Sequence, residues 1–253
     1  MSSSPLLSLS CLSLLLTLST ITTNAARPDF IMTIVNNCPY PIWPAIQPSN
    51  GFPVLQNGGF HLDKLSHRSF PGPSAHWAGR VWARTGCTTS GPPGHLSCAT
   101  GDCGGRLECS GSGGLAPATL AEFSLHHGHK DQSSYIVSLV DGFNIPMTIT
   151  PHEGQGNCPV VGCRADLLAT CPEALQLRSS SGHVVGCKSG CLALKTDELC
   201  CRNKYNSPQS CKPSAYSDFF KKACPATVTY GHDSPSLTHE CSSPRELKVI
   251  FCH

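Results

Sequence analysis

The run LAEFSLHHGHKDQSSYIVSLVDGFNIPM, from Leu120 to Met147, decides how the rest of the chain is read. In LAEFSL the side chains alternate, so Leu120, Glu122 and Ser124 point one way and Ala121, Phe123 and Leu125 the other. SSYIVSLV follows as a second strand, rich in β-branched and aromatic residues. Asp141-Gly142 breaks that strand, and Pro146 comes soon after. Two acids, Glu122 and Asp141, therefore stand in otherwise apolar strand sequence, with Asp141 at a strand end that suits a rim position. Cysteines are absent from Ser110 to Asn157 and dense on both sides. The run reads as core, with crosslinked segments built around it.

Working outward, Phe30 to Asn36 reads as an opening strand and Ile42 to Ala45 as an edge strand that tolerates its prolines. Phe60 to Leu65 is expected to be a short strand and Pro71 to Ala75 a loop. In GRVWART, Arg80, Trp82 and Arg84 share one face, and Val81 and Ala83 the other. Cys87 to Cys109 has little apolar content and reads as a small stapled lobe. Pro151 to Asn157 and Tyr230 to Cys241 are expected to be loops. Tyr216, Phe219, Phe220 and Ala223 recur at helical spacing, which predicts a helix over Ala215 to Ala223 stopped by Pro225. Leu247, Val249 and Phe251 predict a final strand with one apolar face.

The chain carries 17 cysteines. It opens with an apolar run, Leu6 to Leu18, too short to span a bilayer comfortably, followed by small residues that fit signal cleavage after Ala25, or after Ala26. No Lys or Arg precedes that run, a departure from the usual signal; a retained anchor is the alternative. Residues 1–25 are thus expected to be a signal peptide, and the chain from 26 to 253 to be exported to the extracellular space without a further membrane span. Cys11 leaves with the signal, and the sixteen remaining cysteines suit up to eight disulfides in an oxidising compartment. The spacings in CATGDCGGRLEC, and from Cys158 to Cys163, are wide for zinc. Adjacent Cys200 and Cys201 are expected to bond to other partners.

A net charge of +2, with no long basic run, argues against nucleic acid and anionic membrane as partners. With 23 glycines, 21 prolines and 13% charged residues, the composition describes a loop-rich, mainly β protein. HHGH (His126, His127, His129) invites a metal reading, but Gly128 and Lys130 suggest an exposed loop with no acidic or cysteine ligand in reach; no metal and no cofactor are expected. No G-x-S-x-G elbow follows a strand, and GSGG at Gly111 to Gly114 opens no helix, so serine hydrolase and phosphate-loop chemistry are not supported. Trp43, Trp77 and Trp82 can stack on sugars, although Trp82 is expected to pack in or beside the sheet.

NNCPYPIWPA, GRVWARTGC, CATGDCGGRLEC, LAEFSL, SLVDGFNIPM, KTDELCC, YSDFFKKACP and VIFC occur in this order, from about Phe30 to Cys252. In these motifs the chain resembles the thaumatin-like, pathogenesis-related group 5 proteins of plants; Leu96 stands where that family's signature usually has Gly or Phe. The resemblance implies a flattened antiparallel β-sandwich (about residues 27–84, 118–160 and 225–253), a small lobe (about 85–117) and a cysteine-rich lobe of loops and short helices (about 161–224). It also implies the pairs Cys38–Cys252, Cys87–Cys98, Cys103–Cys109, Cys158–Cys241, Cys163–Cys224, Cys171–Cys187, Cys191–Cys200 and Cys201–Cys211, which spacing alone does not select.

The resemblance further implies an acidic cleft. Motif by motif, its residues fall on Arg80, Glu122, Asp141 and Asp233, and a fifth position, normally Asp, is Ile136. Glycoside hydrolysis needs two carboxylates flanking the bond, so catalysis has only Glu122 and Asp141 as candidates; Asp131 lies in a loop. The leading expectation is a monomeric, antifungal defence protein that binds β-1,3-glucan or another fungal wall or membrane component without turnover. The alternatives are a weak endo-β-1,3-glucanase, and an inhibitor or allergen-like protein with no glycan ligand. A structural ion pair between Glu122 and Arg80 is compatible with each. A sweet-tasting protein is disfavoured, because those rely on a strongly basic surface.

Overall fold

A computed structural model describes residues 30–89, 94–233 and 239–253, with the side chains of residues 239 and 240 left aside. The signal segment and its cleavage site lie outside the described residues. In chain order the strands are β1 (Ile31–Asn36), β2 (Trp43–Pro48), β3 (Ser66–Pro71), β4 (Trp77–Arg84), β5 (Thr88–Thr89), β6 (Leu96–Ser97), β7 (Leu120–His127) and β8 (Gln132–Ser138). They continue as β9 (Met147–His152), β10 (Gln155–Gly156), β11 (Val161–Cys163), β12 (Gln176–Arg178), β13 (Val184–Cys187), β14 (His239–Ser242) and β15 (Glu246–Phe251). The helices are α1 (Gly190–Leu194) and α2 (Ala215–Ala223).

Among the described residues, two large sheets form, in the orders β11-β9-β15-β1-β3 and β10-β14-β8-β7-β4-β2. Pairing is antiparallel apart from β1 and β15, which run parallel in register from Ile31 beside Glu246 to Asn36 beside Phe251. Period-two alternation sends one face of each strand inward. Met32, Ile34, Met147, Ile149, Val249 and Phe251 of one sheet meet Ile46, Val81, Ala121, Phe123, Leu125 and Val137 of the other in one buried cluster. The protein is therefore a mainly β, disulfide-rich sandwich.

Two smaller clusters sit outside it. Trp82, Ala45 and Leu120, on the outer face of the six-stranded sheet, pack with Cys103, Cys109 and Ala118. Leu139 and Phe143 pack with Leu167, Leu175, Phe220 and four half-cystines of the cysteine-rich segment. Helix α2 has the predicted bounds: Ser214 and Ser217 form a capping box at its start, and Phe220 is its buried anchor. The described cysteines form eight disulfides, Cys38–Cys252, Cys87–Cys98, Cys103–Cys109, Cys158–Cys241, Cys163–Cys224, Cys171–Cys187, Cys191–Cys200 and Cys201–Cys211.

SLVDGFNIPM joins two of the clusters. Leu139 and Phe143 enter the cysteine-rich cluster, and Ile145 and Met147 the sandwich. Between them the buried Asn144 side chain donates to the Ala83 carbonyl and the Thr100 hydroxyl, both at 2.8 Å, and accepts from the Thr119 amide at 3.0 Å. A buried amide with these partners is satisfied and fixes the turn. Gly142, at φ 90°, is needed there: a Cβ would meet the Cys187 carbonyl and Pro117.

Three sequence expectations are corrected. Phe60 to Leu65 is not a strand; it makes only isolated bridges nearby, and the strand is β3, whose SHRSFP exposes most of its side chains at a sheet edge. Pro151 to Asn157 is not all loop, because β9 runs on to His152 against β15 and Gln155–Gly156 pairs with β14. The end of the Tyr230 to Cys241 loop is likewise strand, β14 from His239 pairing with β8.

Candidate functional site

Cross-strand register builds the site. On the outer face of the six-stranded sheet, Gln47, Arg80, Glu122 and Ile136 follow one another across β2, β4, β7 and β8. The next row toward the small cluster, with Ala45 and Trp82, is covered by Cys103 and Cys109, so the Arg80 row is the first that stays open. Arg80 Nε donates to Gln47 Oε1 at 2.7 Å, and its guanidinium lies 3.9 Å from Asp141 at the end of the following turn. At that distance, with both side chains well exposed, the pair orients more than it stabilises. Glu122 is half-buried. Desolvation pushes its carboxyl above the ordinary value and Asp141 adds to the rise, while Arg80 and a hydrogen bond from Ser138 oppose it. Arg80 thus bridges Gln47 and Asp141 while its charge also acts on Glu122, its direct cross-strand neighbour.

Three depressions share these residues. Arg80 and Glu122 line one of about 410 Å³ with Gln47, Pro48, Ser49 and Asn50. Arg80 and Asp141 line a constriction of about 30 Å³ beside Trp82 and Gly114. Asp141 then lines a cavity of about 240 Å³, whose other wall is the cysteine-rich segment, with Arg202, Lys212, Ser214 and Tyr230. The lining is of mixed charge, where the sequence reading expects an acidic cleft.

Asp233 departs from expectation most. Its carboxylate is 2.6 Å from the Lys221 ammonium and accepts from the Thr229 amide at 2.8 Å. Its side chain is 7% exposed, so it braces the Thr229–Gly231 wall of the cavity. Asp131 is also engaged, with Oδ1 2.6 Å from His126 Nδ1. HHGH is not simply an exposed loop: His126 and His127 end β7, and among the described residues no group of three or more His, Cys, Asp or Glu side chains could hold a metal. Trp77 and Trp82 are buried, and Trp82 Nε1 donates to the Gly101 carbonyl at 2.9 Å. Trp43 is half-buried, edge-on to His61. Sequence reasoning missed Arg202 and Lys212, which no periodicity brings to the cleft.

The Thaumatin family model matches residues 36–253. The chain belongs to the thaumatin family. It is 70% identical over 244 residues to an osmotin-like protein of Solanum lycopersicum, covering 96% of each chain. It is 42% identical over 232 residues to pathogenesis-related protein 5 of Arabidopsis thaliana, covering 92% of this chain and 94% of that one. It is 42% identical over 218 residues to a glucan endo-1,3-beta-glucosidase of Prunus avium, covering 86% of this chain and 88% of that one. Among the described residues, no helix of this thaumatin-family protein is long and apolar enough to cross a membrane.

Proposed function

We propose that this thaumatin-family chain is an exported antifungal defence protein, mature from about residue 26, that holds a β-1,3-glucan or a related fungal surface component in the groove without cleaving it. The observation that carries the reading is the register of β7 and β8, which sets Ile136 directly opposite Glu122. Directly opposed residues hold their Cβ atoms about 4.5–5.5 Å apart, so two carboxyl groups carried there come within reach of the roughly 5–5.5 Å spacing that a retaining glycosidase uses. A branched alkyl group there neither attacks a sugar carbon nor accepts a proton. Arg80, Gln47, Glu122 and Asp141 still offer the donors and acceptors that sugar hydroxyls take.

A glucan pull-down tests this reading. Retention of the wild type on insoluble β-1,3-glucan, reduced in Arg80→Ala and Glu122→Gln, supports it; no retention of the wild type removes it. The second reading, a weak endo-β-1,3-glucanase, draws on the Prunus avium relative and on the raised Glu122 carboxyl, which suits a proton donor.

A further inference from the structure

We propose that the groove continues past Glu122 along the outer sheet face, over Ser124 and Ser134 to His76 and His127, and that this strip is a second contact segment for a long, uncharged, hydroxyl-rich saccharide chain. The inference rests on the glucan-binding reading above.

Strand alternation explains the first step. Ser124 follows Glu122 on the same face of β7, Ser134 follows Ile136 on β8, and the register sets the two serines directly opposite each other. The second step needs a bulge. From Ser124 to His127 β7 spends three residues, while from Ser134 to Gln132 β8 spends two. One extra residue reverses the inside-outside order, with His126 at φ 52°. His126 therefore turns inward, 12% exposed, against Phe30 of the core and onto Asp131. His127 is delivered to the outer face, where its Nε2 lies 2.8 Å from Ser134 Oγ. Without the bulge, His127 would point into the sandwich.

His76, exposed just before β4, mirrors it, with Nε2 3.3 Å from Ser124 Oγ. The two imidazole rings stand 6.4 Å apart. Phe52 abuts His76 edge-on at 5.1 Å, from the loop whose Pro48, Ser49 and Asn50 wall the Glu122 depression. One loop thus borders both segments. The strip offers hydroxyls and imidazoles, each able to donate and accept, beside the Phe52 ring, the chemistry that takes sugar hydroxyls and apolar ring faces. From Glu122 to His127 the bulge leaves four ladder steps, Ile136 to Gln132 on β8, so the strip runs about 13 Å at the rise of an extended strand, enough for more than one sugar ring.

Calorimetric titration with a β-1,3-linked disaccharide and hexasaccharide tests the strip. The wild type is expected to bind the hexasaccharide more tightly, and His76→Ala combined with His127→Ala to weaken hexasaccharide binding about tenfold, the equivalent of one or two hydrogen bonds, with the disaccharide unchanged. If the double variant folds poorly, exposed His76→Ala alone is expected to cost about threefold, the equivalent of one weak hydrogen bond. Unchanged hexasaccharide affinity in the histidine variants, with both ligands weakened by Glu122→Gln, overturns the strip and leaves the glucan reading standing. A wild type that binds neither saccharide overturns both.

Discussion

Glu122 and Ile136 are direct cross-strand neighbours, the two side chains standing side by side on the open face of the six-stranded sheet. The position that would supply a second carboxylate is therefore occupied by an apolar group within reach of the first. Ile136→Asp is expected to raise the Glu122 carboxyl further, because like charges at this separation disfavour joint ionisation. It is also expected to bring reducing-end release from laminarin above the wild-type background. NMR titration of Glu122 and a reducing-sugar assay check both; a variant with unchanged Glu122 titration would show that the two side chains do not face each other.

The raised Glu122 carboxyl has a defined effect on stability. Within the window between its ordinary value near 4.5 and its higher folded value, the folded protein keeps a proton that the unfolded chain has released. Stability contributed by this group is therefore lost as pH rises through that window. Glu122→Gln removes the dependence. Urea denaturation from about pH 4 to about pH 7 should show the variant gaining on the wild type as pH rises; a constant difference would contradict the assignment.

Arg84 ties the small lobe to the sandwich. Its fully buried guanidinium donates to the carbonyls of Trp43 at 2.9 Å, Pro44 at 3.2 Å, Arg106 at 2.6 Å and Leu107 at 2.9 Å. Burial lowers its pKa to about 10, against a smaller opposing pull from Asp102. Arg84→Met strands several of these acceptors and is expected to cost about 3 kcal/mol. Chemical denaturation measures it; a loss within experimental error would mean that water replaces the guanidinium.

Cys38–Cys252 joins residues 214 positions apart, at the start and end of the β1–β15 region. Restricting so long a loop in the unfolded chain is worth about 5 kcal/mol in the chain-entropy model. Replacing both cysteines with serine should lower the denaturation midpoint by that equivalent while leaving the far-ultraviolet spectrum unchanged. A midpoint equal to that of the wild type would show that strand pairing alone closes the ends.

The parts legible in the sequence were those governed by burial. LAEFSL, SSYIVSLV and the LKVIF strand alternate because one face is core, and Ala215 to Ala223 carries an apolar stripe that ends before Pro225. Among the strands that escaped notice, β3, β10 and β14 owe their pairing to backbone hydrogen bonds rather than to an apolar face, and β11, β12 and β13 lie in the segment expected to hold loops and short helices. The neighbours Arg80, Glu122 and Ile136 came from motif matching, whereas their adjacency came from register, which sequence does not state. Asp233 came from the same matching, whereas its bracing partner Lys221, on another element, cannot be read from the motif. His127 was hidden for a related reason: a one-residue bulge reverses the alternation that a reader extends along the strand.

Binding without turnover in the groove is followed on a defined saccharide. A β-1,3-glucan hexasaccharide incubated with a saturating amount of wild-type protein is followed by mass spectrometry. The hexasaccharide is expected to be recovered at full length while bound. Shorter saccharides that accumulate with the wild type and vanish with Glu122→Gln would contradict it.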